Sequence, residues 1–166
     1  LPISGSTVSS VRTAESELTR NVLFVCLGNI CRSPLAEGIF KDLIGNAGLA
    51  REFKVDSAGT GPWHVGNPPD QRSIEIAFRH GIDISAQRAR KVRKSDFETF
   101  DAILAMDGNN LKTLTTMSGR PSAEIRLLLR TPPMDVPDPF FGGPEGFEDV
   151  FSLIRSGCAE FLGSIV

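Results

Sequence analysis

The segment that most constrains this chain runs from Val22 to Ile44. Val22-Leu-Phe-Val25 is an unbroken apolar run, the pattern of a strand buried on both faces of a parallel sheet. From Pro34 the apolar residues Leu35, Ile39, Phe40 and Leu43 recur at helical spacing. Pro34 itself suits the first turn, where a missing N–H costs nothing. Only Cys26-Leu-Gly-Asn-Ile-Cys-Arg-Ser33 is left to join strand to helix. A tight turn there points its N–H groups inward beside a helix N-terminus, and that is an anion site. Gly28 permits backbone angles that other residues resist. Asn29 tolerates the left-handed region and bonds backbone locally.

The rest of the chain repeats the strand–helix alternation. Phe53–Asp56, Phe100–Met106 and Ile125–Leu129 read as further short strands. Helices are expected over 70–80, with Ile74, Ala77 and Phe78 inward, and over 109–116. A last helix spans 145–166 with Phe147, Val150, Phe151, Ile154, Cys158, Phe161 and Leu162 on one side. Residues 59–69 are loop, and 131–144 hold five prolines, so they form a shaped loop. The alternation predicts an α/β three-layer sandwich with a four-stranded parallel sheet flanked by helices. In such folds ligands sit beyond the carboxyl ends of the strands, here the loops after Val25, Asp56 and Met106. Residues 1–20 are small and polar and read as a flexible N-terminal extension, leaving 21–166 as one domain.

Composition narrows the function. With 18 Lys and Arg against 20 Asp and Glu the net charge is -2, so bulk charge does not recommend a nucleic-acid partner. No apolar run is long enough to span a bilayer, and no signal-peptide core is seen, so a cytoplasmic location is expected. Three cysteines make no closed disulfide framework. Cys26 and Cys31 as half of a metal site would need His64 and His80, the only histidines, so no metal is expected.

The chemistry favours phosphoryl transfer. Arg32 offers a planar fork of donors to a tetrahedral oxyanion. Cys26 lies at the base of the same ring of donors, whose dipoles favour its thiolate. Ser33 is placed to bond the Cys26 sulfur. A bound phosphoryl group then sits over that sulfur, and attack gives a phosphocysteine. The segment is not a nucleotide loop, which ends in Gly-Lys-Ser/Thr.

Cys26-Leu-Gly-Asn-Ile-Cys-Arg-Ser-Pro34 resembles the signature of the low-molecular-weight protein tyrosine phosphatases. Asp56-Ser-Ala-Gly-Thr60, Trp63-His-Val-Gly66, Gly81-Ile-Asp-Ile-Ser85 and Asp138-Pro139 extend the resemblance over about residues 21 to 166. The resemblance implies that Cys26 is the nucleophile and Arg32 the phosphate clamp. Asp138 would be general acid for the leaving phenolate, then base for the attacking water. Leu27, Gly28, Asn29, Ile30, Cys31 and Ser33 complete the phosphate-binding loop. Leu27, Trp63, Phe140 and Phe141 line the pocket mouth. Cys31 is expected to form a reversible disulfide with Cys26 that protects the nucleophile, whereas Cys158 is expected in the core. No cofactor is implied. The implied partners are a tyrosine-phosphorylated protein and phosphate or another tetrahedral oxyanion, bound by a monomer, with weak dimerisation through the aromatic rim left open.

Asp138-Pro-Phe-Phe141 departs from the family's commoner Asp-Pro-Tyr-Tyr, so the rim keeps its rings and loses both hydroxyls. Arsenate reduction is a rival activity, but residues 66–94 hold no Cys where the resembled reductases carry their pair. Phosphoarginine hydrolysis is a second, and Ile30 stands where those relatives carry Thr. A phosphopeptide-binding module without turnover is a third, and Cys26, Arg32 and Asp138 argue against it.

Overall fold

The computed structural model describes residues 19–166, so the expected N-terminal extension lies outside the described residues except for Thr19 and Arg20. Four parallel strands form one sheet in the order β2-β1-β3-β4. They are β1 (Arg20–Cys26), β2 (Phe53–Gly59), β3 (Ala102–Ala105) and β4 (Glu124–Leu127). The helices are α1 (Arg32–Asn46), α2 (Gln71–Arg79), α3 (Asp96–Thr99), α4 (Gly108–Ser118) and α5 (Pro144–Ile165).

Side chains of a strand alternate between faces, and β1 divides the core accordingly. Val22, Phe24 and Cys26 join the larger cluster with Leu35, Ile39, Phe40, Phe147, Phe151, Ile154 and Phe161, the sides of α1 and α5 read from the sequence. Leu23 and Val25 join the smaller cluster with Phe97 of α3, Ile103, Ala105 and Leu114 of α4. The three-layer α/β sandwich is therefore as expected, and the first loop leaves β1 at the sheet's carboxyl end.

Several local expectations shift. β2 runs on to Gly59 because Ser57, Ala58 and Gly59 stay paired with Phe24, Val25 and Cys26. β3 is shorter than expected, since Phe100 caps α3 instead of entering the sheet. Phe78 does not face inward but is 72% exposed. The buried side of α2 is Ser73, Ile76 and Ala77, with Ile74 half-buried, and Phe78 lies about 100° round from Ala77. Leu162 is only half-buried at the edge of the α5 side. The short helix α3 has no apolar period to announce it.

Candidate active site

Cys26 ends β1 with its side chain on the α1 face, 2% exposed. Past it the backbone turns its carbonyls outward and fastens them. Thr60 N–H donates to the Cys26 carbonyl at 3.0 Å and Gly61 N–H to that of Leu27 at 2.9 Å. Asp70 N–H, just ahead of α2, donates to the Ile30 carbonyl at 2.8 Å. Gly59 passes directly beneath the loop: a Cβ there would lie 2.8 Å from the Leu27 carbonyl oxygen. Among the described residues, no N–H of Gly28 to Cys31 donates to a backbone carbonyl. Such open donors beside the start of α1 suit a bound oxyanion.

The turn is closed by Asn29, whose φ of 56° is the left-handed region. Its side chain holds it there. Arg90 N–H donates to Asn29 Oδ1 at 3.0 Å, and Asn29 Nδ2 donates to Ser33 Oγ at 2.8 Å and to Ser57 Oγ at 3.0 Å. Ser33 Oγ lies 3.0 Å from Cys26 Sγ. Arg90 is in turn anchored by Asp56 at 3.0 Å and Asp96 at 2.9 Å.

Arg32 opens α1 and is buried. Its Nη1 is fully committed, donating to Asp107 Oδ2 at 2.6 Å and to the Val136 carbonyl at 3.0 Å. Its Nη2 reaches Asp138 Oδ2 only at 3.5 Å. One edge of the guanidinium is thus clamped and the other faces the pocket, presenting a fork of the kind that binds a tetrahedral anion in two places. Burial opposes the Arg32 charge. The neighbouring Cys26, the Asp107 hydrogen bond and the Asp138 charge outweigh it and raise its pKa.

Asp138 comes from the Pro-rich loop and has a side chain 38% exposed. Its Oδ1 accepts from Phe140 N–H at 3.1 Å, a local turn bond. The loop beyond it is tied to α2: Arg72 donates to the carbonyls of Phe140 at 2.9 Å and Gly142 at 3.2 Å. The Arg72 guanidinium also lies 4.5 Å from the Phe147 ring centre, a cation–π contact. Arg72 is steered by Asp70, whose pKa is lowered chiefly by the hydrogen bond from Arg72.

One pocket collects these pieces. Cys26, Leu27, Gly28, Ile30, Cys31, Arg32, Trp63, His64, Asp138, Phe140 and Phe141 line it. Leu27, Trp63 and Phe141 are exposed at its mouth, and Phe140 meets Phe141 edge to face. Asn29 and Ser33 sit behind the pocket wall, bonded to each other. Cys31 is buried and free, its pKa pushed up to about 12 by burial and then by the charges of Asp70, Cys26 and Asp138. Cys158 is a buried core residue, as expected, and burial pushes its pKa up.

Asp107, Ser57, Arg72 and His64 were not singled out as site residues from the sequence. Asp107 follows a buried strand at the carboxyl end of the sheet, which was a usable signal. Ser57 lies within Asp56-Ser-Ala-Gly-Thr60, whose residue order does not reveal its bonds to Asn29 and Glu37. His64 lines the pocket wall, with its ring 6.2 Å from that of Phe140. Nothing in sequence spacing ties Arg72 to a loop so far away.

The arrangement can hold a tetrahedral oxyanion over a thiol, with an exposed carboxyl beside it and flat apolar walls above. The comparisons agree with it. The family model described as low molecular weight phosphotyrosine protein phosphatase matches residues 21–166. The low molecular weight protein-tyrosine-phosphatase YfkJ of Bacillus subtilis is 47% identical over 150 residues, 87% of this chain and 95% of its own length. Its crystal structure superposes with a TM-score of 0.83 at 46% identity, covering 89% of this chain and 94% of that one. The low molecular weight phosphotyrosine protein phosphatase of Homo sapiens is 42% identical over 152 residues, covering 88% of this chain and 96% of its own. The drosophila arginine phosphatase DARP has a TM-score of 0.80 at 36% identity, covering 86% of this chain and 96% of that one. This chain belongs to the low molecular weight phosphotyrosine protein phosphatase family.

Proposed function

We propose that residues 21–166 form a catalytic domain that hydrolyses phosphotyrosine in proteins, and small aryl phosphates, through a phosphocysteine on Cys26. One observation carries the reading: a buried thiol, the open edge of Arg32 and an exposed carboxyl line the same pocket. The Cys26 thiolate attacks phosphorus in line with the phenolic oxygen. Loop N–H groups and Arg32 hold the equatorial oxygens as their charge develops. Asp138 gives its proton to the departing phenolate. As a carboxylate it then takes a proton from the water that attacks the phosphocysteine, releasing phosphate and restoring the thiolate.

Leu27, Trp63, Phe140 and Phe141 supply a flat apolar slot that suits an aromatic leaving group. A fold shared with an arginine phosphatase does not by itself choose the substrate. Ile30, an apolar residue in the pocket wall, favours the aryl ester.

The test is hydrolysis of p-nitrophenyl phosphate under reducing conditions, with turnover by wild type and none by Cys26→Ser. Rates on phosphotyrosine, phosphoserine and phosphoarginine peptides then set the substrate class, with phosphotyrosine fastest. No turnover of any of them overturns the reading. Thiol-dependent release of arsenite from arsenate, without phosphate release, selects the reductase instead.

Cys31 serves as redox partner in this reading. Peroxide takes two electrons from the Cys26 and Cys31 thiols, forming their disulfide and water, and a dithiol reverses it. Both cysteines line the one pocket. Peroxide inactivation should be fully reversible in wild type and become irreversible in Cys31→Ser. Three unpaired thiols fit a reducing compartment, so the cytoplasm is the location proposed. Among the described residues no helix is long and apolar enough to cross a membrane. The working form proposed is a monomer.

A further inference from the structure

Helix α1 carries a carboxylate that the mechanism above does not use. Glu37 is only 5% exposed. A buried carboxylate is costly unless its oxygens are satisfied, and both of these are. Oε1 accepts from Ser57 Oγ at 2.7 Å and Oε2 from Lys41 Nζ at 2.7 Å. Lys41 lies one turn further along α1 with its side chain half exposed, so the contact reaches the surface.

The directions of these bonds can be assigned from one end to the other. An ionised carboxylate only accepts, so the single hydrogen of Ser57 goes to Glu37. Ser57 Oγ then accepts from Asn29 Nδ2 at 3.0 Å. On the other side a backbone N–H, that of Arg90, fixes which end of the Asn29 amide is oxygen. Both hydrogens of Asn29 Nδ2 are therefore spent, one on Ser57 and one on Ser33. Ser33 Oγ accepts, and its own hydrogen is left for Cys26 Sγ at 3.0 Å. The Ala58 carbonyl, at 3.4 Å, is the weaker competitor for it.

We propose that Glu37 is a positioning residue for the phosphatase reaction: its buried carboxylate orients Ser57, locks Asn29, and so leaves the Ser33 hydroxyl to donate to the Cys26 sulfur. A hydroxyl polarised by a carboxylate is a better acceptor. Glu37 thereby tightens a bond that keeps Asn29 at its left-handed φ. The catalytic half of this inference rests on the phosphatase reading, whereas the hydrogen-bond chain does not.

The test compares wild type with Glu37→Leu, Glu37→Gln, Ser57→Ala and both Glu37 changes combined with Ser57→Ala. Three quantities are read: alkylation of Cys26 by iodoacetate at fixed pH, followed by mass spectrometry of its peptide; kcat and KM on p-nitrophenyl phosphate; and thermal melting. Glu37→Leu should slow alkylation and lower kcat about tenfold, less than the hundredfold or more that losing a direct oxyanion donor costs. KM should stay within about twofold. Glu37→Gln keeps the volume and an acceptor and should recover most of both rates. Each double variant should be no worse than Ser57→Ala, because the two residues act as one chain. Unchanged alkylation and kcat in Glu37→Leu overturn the proposal, even with a lowered melting temperature. So do effects that multiply in the doubles. Should Glu37→Leu fail to fold, Glu37→Ala with and without Ser57→Ala, which also removes the acceptor for the Ser57 hydroxyl, gives the same decision. Wild type that shows no turnover, while its Cys26 alkylation still depends on Glu37 and Ser57, sinks the phosphatase reading and leaves the chain standing.

Discussion

From Cys26 to Ser33 the polar side chains Asn29, Arg32 and Ser33 are buried, and each has partners on other elements. From Thr131 to Gly143 most of the loop is exposed, and among the described residues the side chain of Asp138 is bonded only to Phe140 N–H and, at 3.5 Å, to Arg32. The first loop is set before any substrate arrives, and the second is held through its backbone by Arg72, at the Phe140 carbonyl, and by Arg32, at the Val136 carbonyl. The difference follows the work that the proposed reaction gives each. A nucleophile and its oxyanion donors gain most from fixed dipoles in a dry site. A carboxyl that first protonates a leaving group and then deprotonates water has to meet solvent. Arg32 joins the two, since it bonds the Val136 carbonyl and approaches Asp138.

Changes in the buried loop should cost most. Arg32→Lys keeps the charge and loses the fork, and kcat/KM should fall about a thousandfold, with phosphate inhibiting far more weakly. A loss of tenfold or less would mean that the N–H groups alone hold the phosphoryl group. Asp138→Asn should cost about a hundredfold on phosphotyrosine peptides and distinctly less on p-nitrophenyl phosphate, whose phenolate leaves without help. An equal loss on both would remove Asp138 from proton transfer.

The links between the regions rank next. Asp107→Asn keeps the side chain's shape and its cap on Asn110 N–H, but weakens the clamp on Arg32. It should lower kcat/KM about tenfold, as loss of a charged hydrogen bond does. Arg72→Leu frees the carbonyls of Phe140 and Gly142, and should lower kcat about threefold while speeding proteolysis within 131–143, with Cys26 alkylation unchanged. Faster proteolysis without a kinetic effect would show that the loop's tether is structural only.

The smallest effect concerns pH. Cys31 has a folded pKa of about 12 against an ordinary 9.0, so the unfolded chain gives up this proton first. Its contribution to stability is whole below pH 9.0 and is lost as pH rises towards about 12. Denaturant melts across that window should therefore slope downward, and Cys31→Val should flatten the slope in part. Cys158 contributes in the same direction through its burial.

Much of this was legible from residue order. The apolar run before Cys26 and the periodic run after Pro34 dictate strand, turn and helix, because local periodicity and chain stiffness act over a few residues. The α5 side from Phe147 to Phe161 could be read for the same reason. Phe78 could not, because an aromatic ring in a short amphipathic helix can lie just off the inward side. Phe100 could not, because only sheet register decides which residue of such a run is the first to pair.

Sequence alone determined the turn from Cys26 to Ser33 with its thiol and its arginine, since these lie within eight consecutive residues between a strand and a helix. Only the tertiary structure decided what orients them. Asp107 lies 75 residues from Arg32, Ser57 28 from Asn29 and Val136 104 from Arg32. Parallel strand pairing brings such groups to one end of the sheet, and a hydrogen bond between them is a property of the packed fold. Glu37 is the clearest case. By sequence it is one more charge on a helix, and by packing it is a buried acceptor at the head of a chain that ends on the Cys26 sulfur.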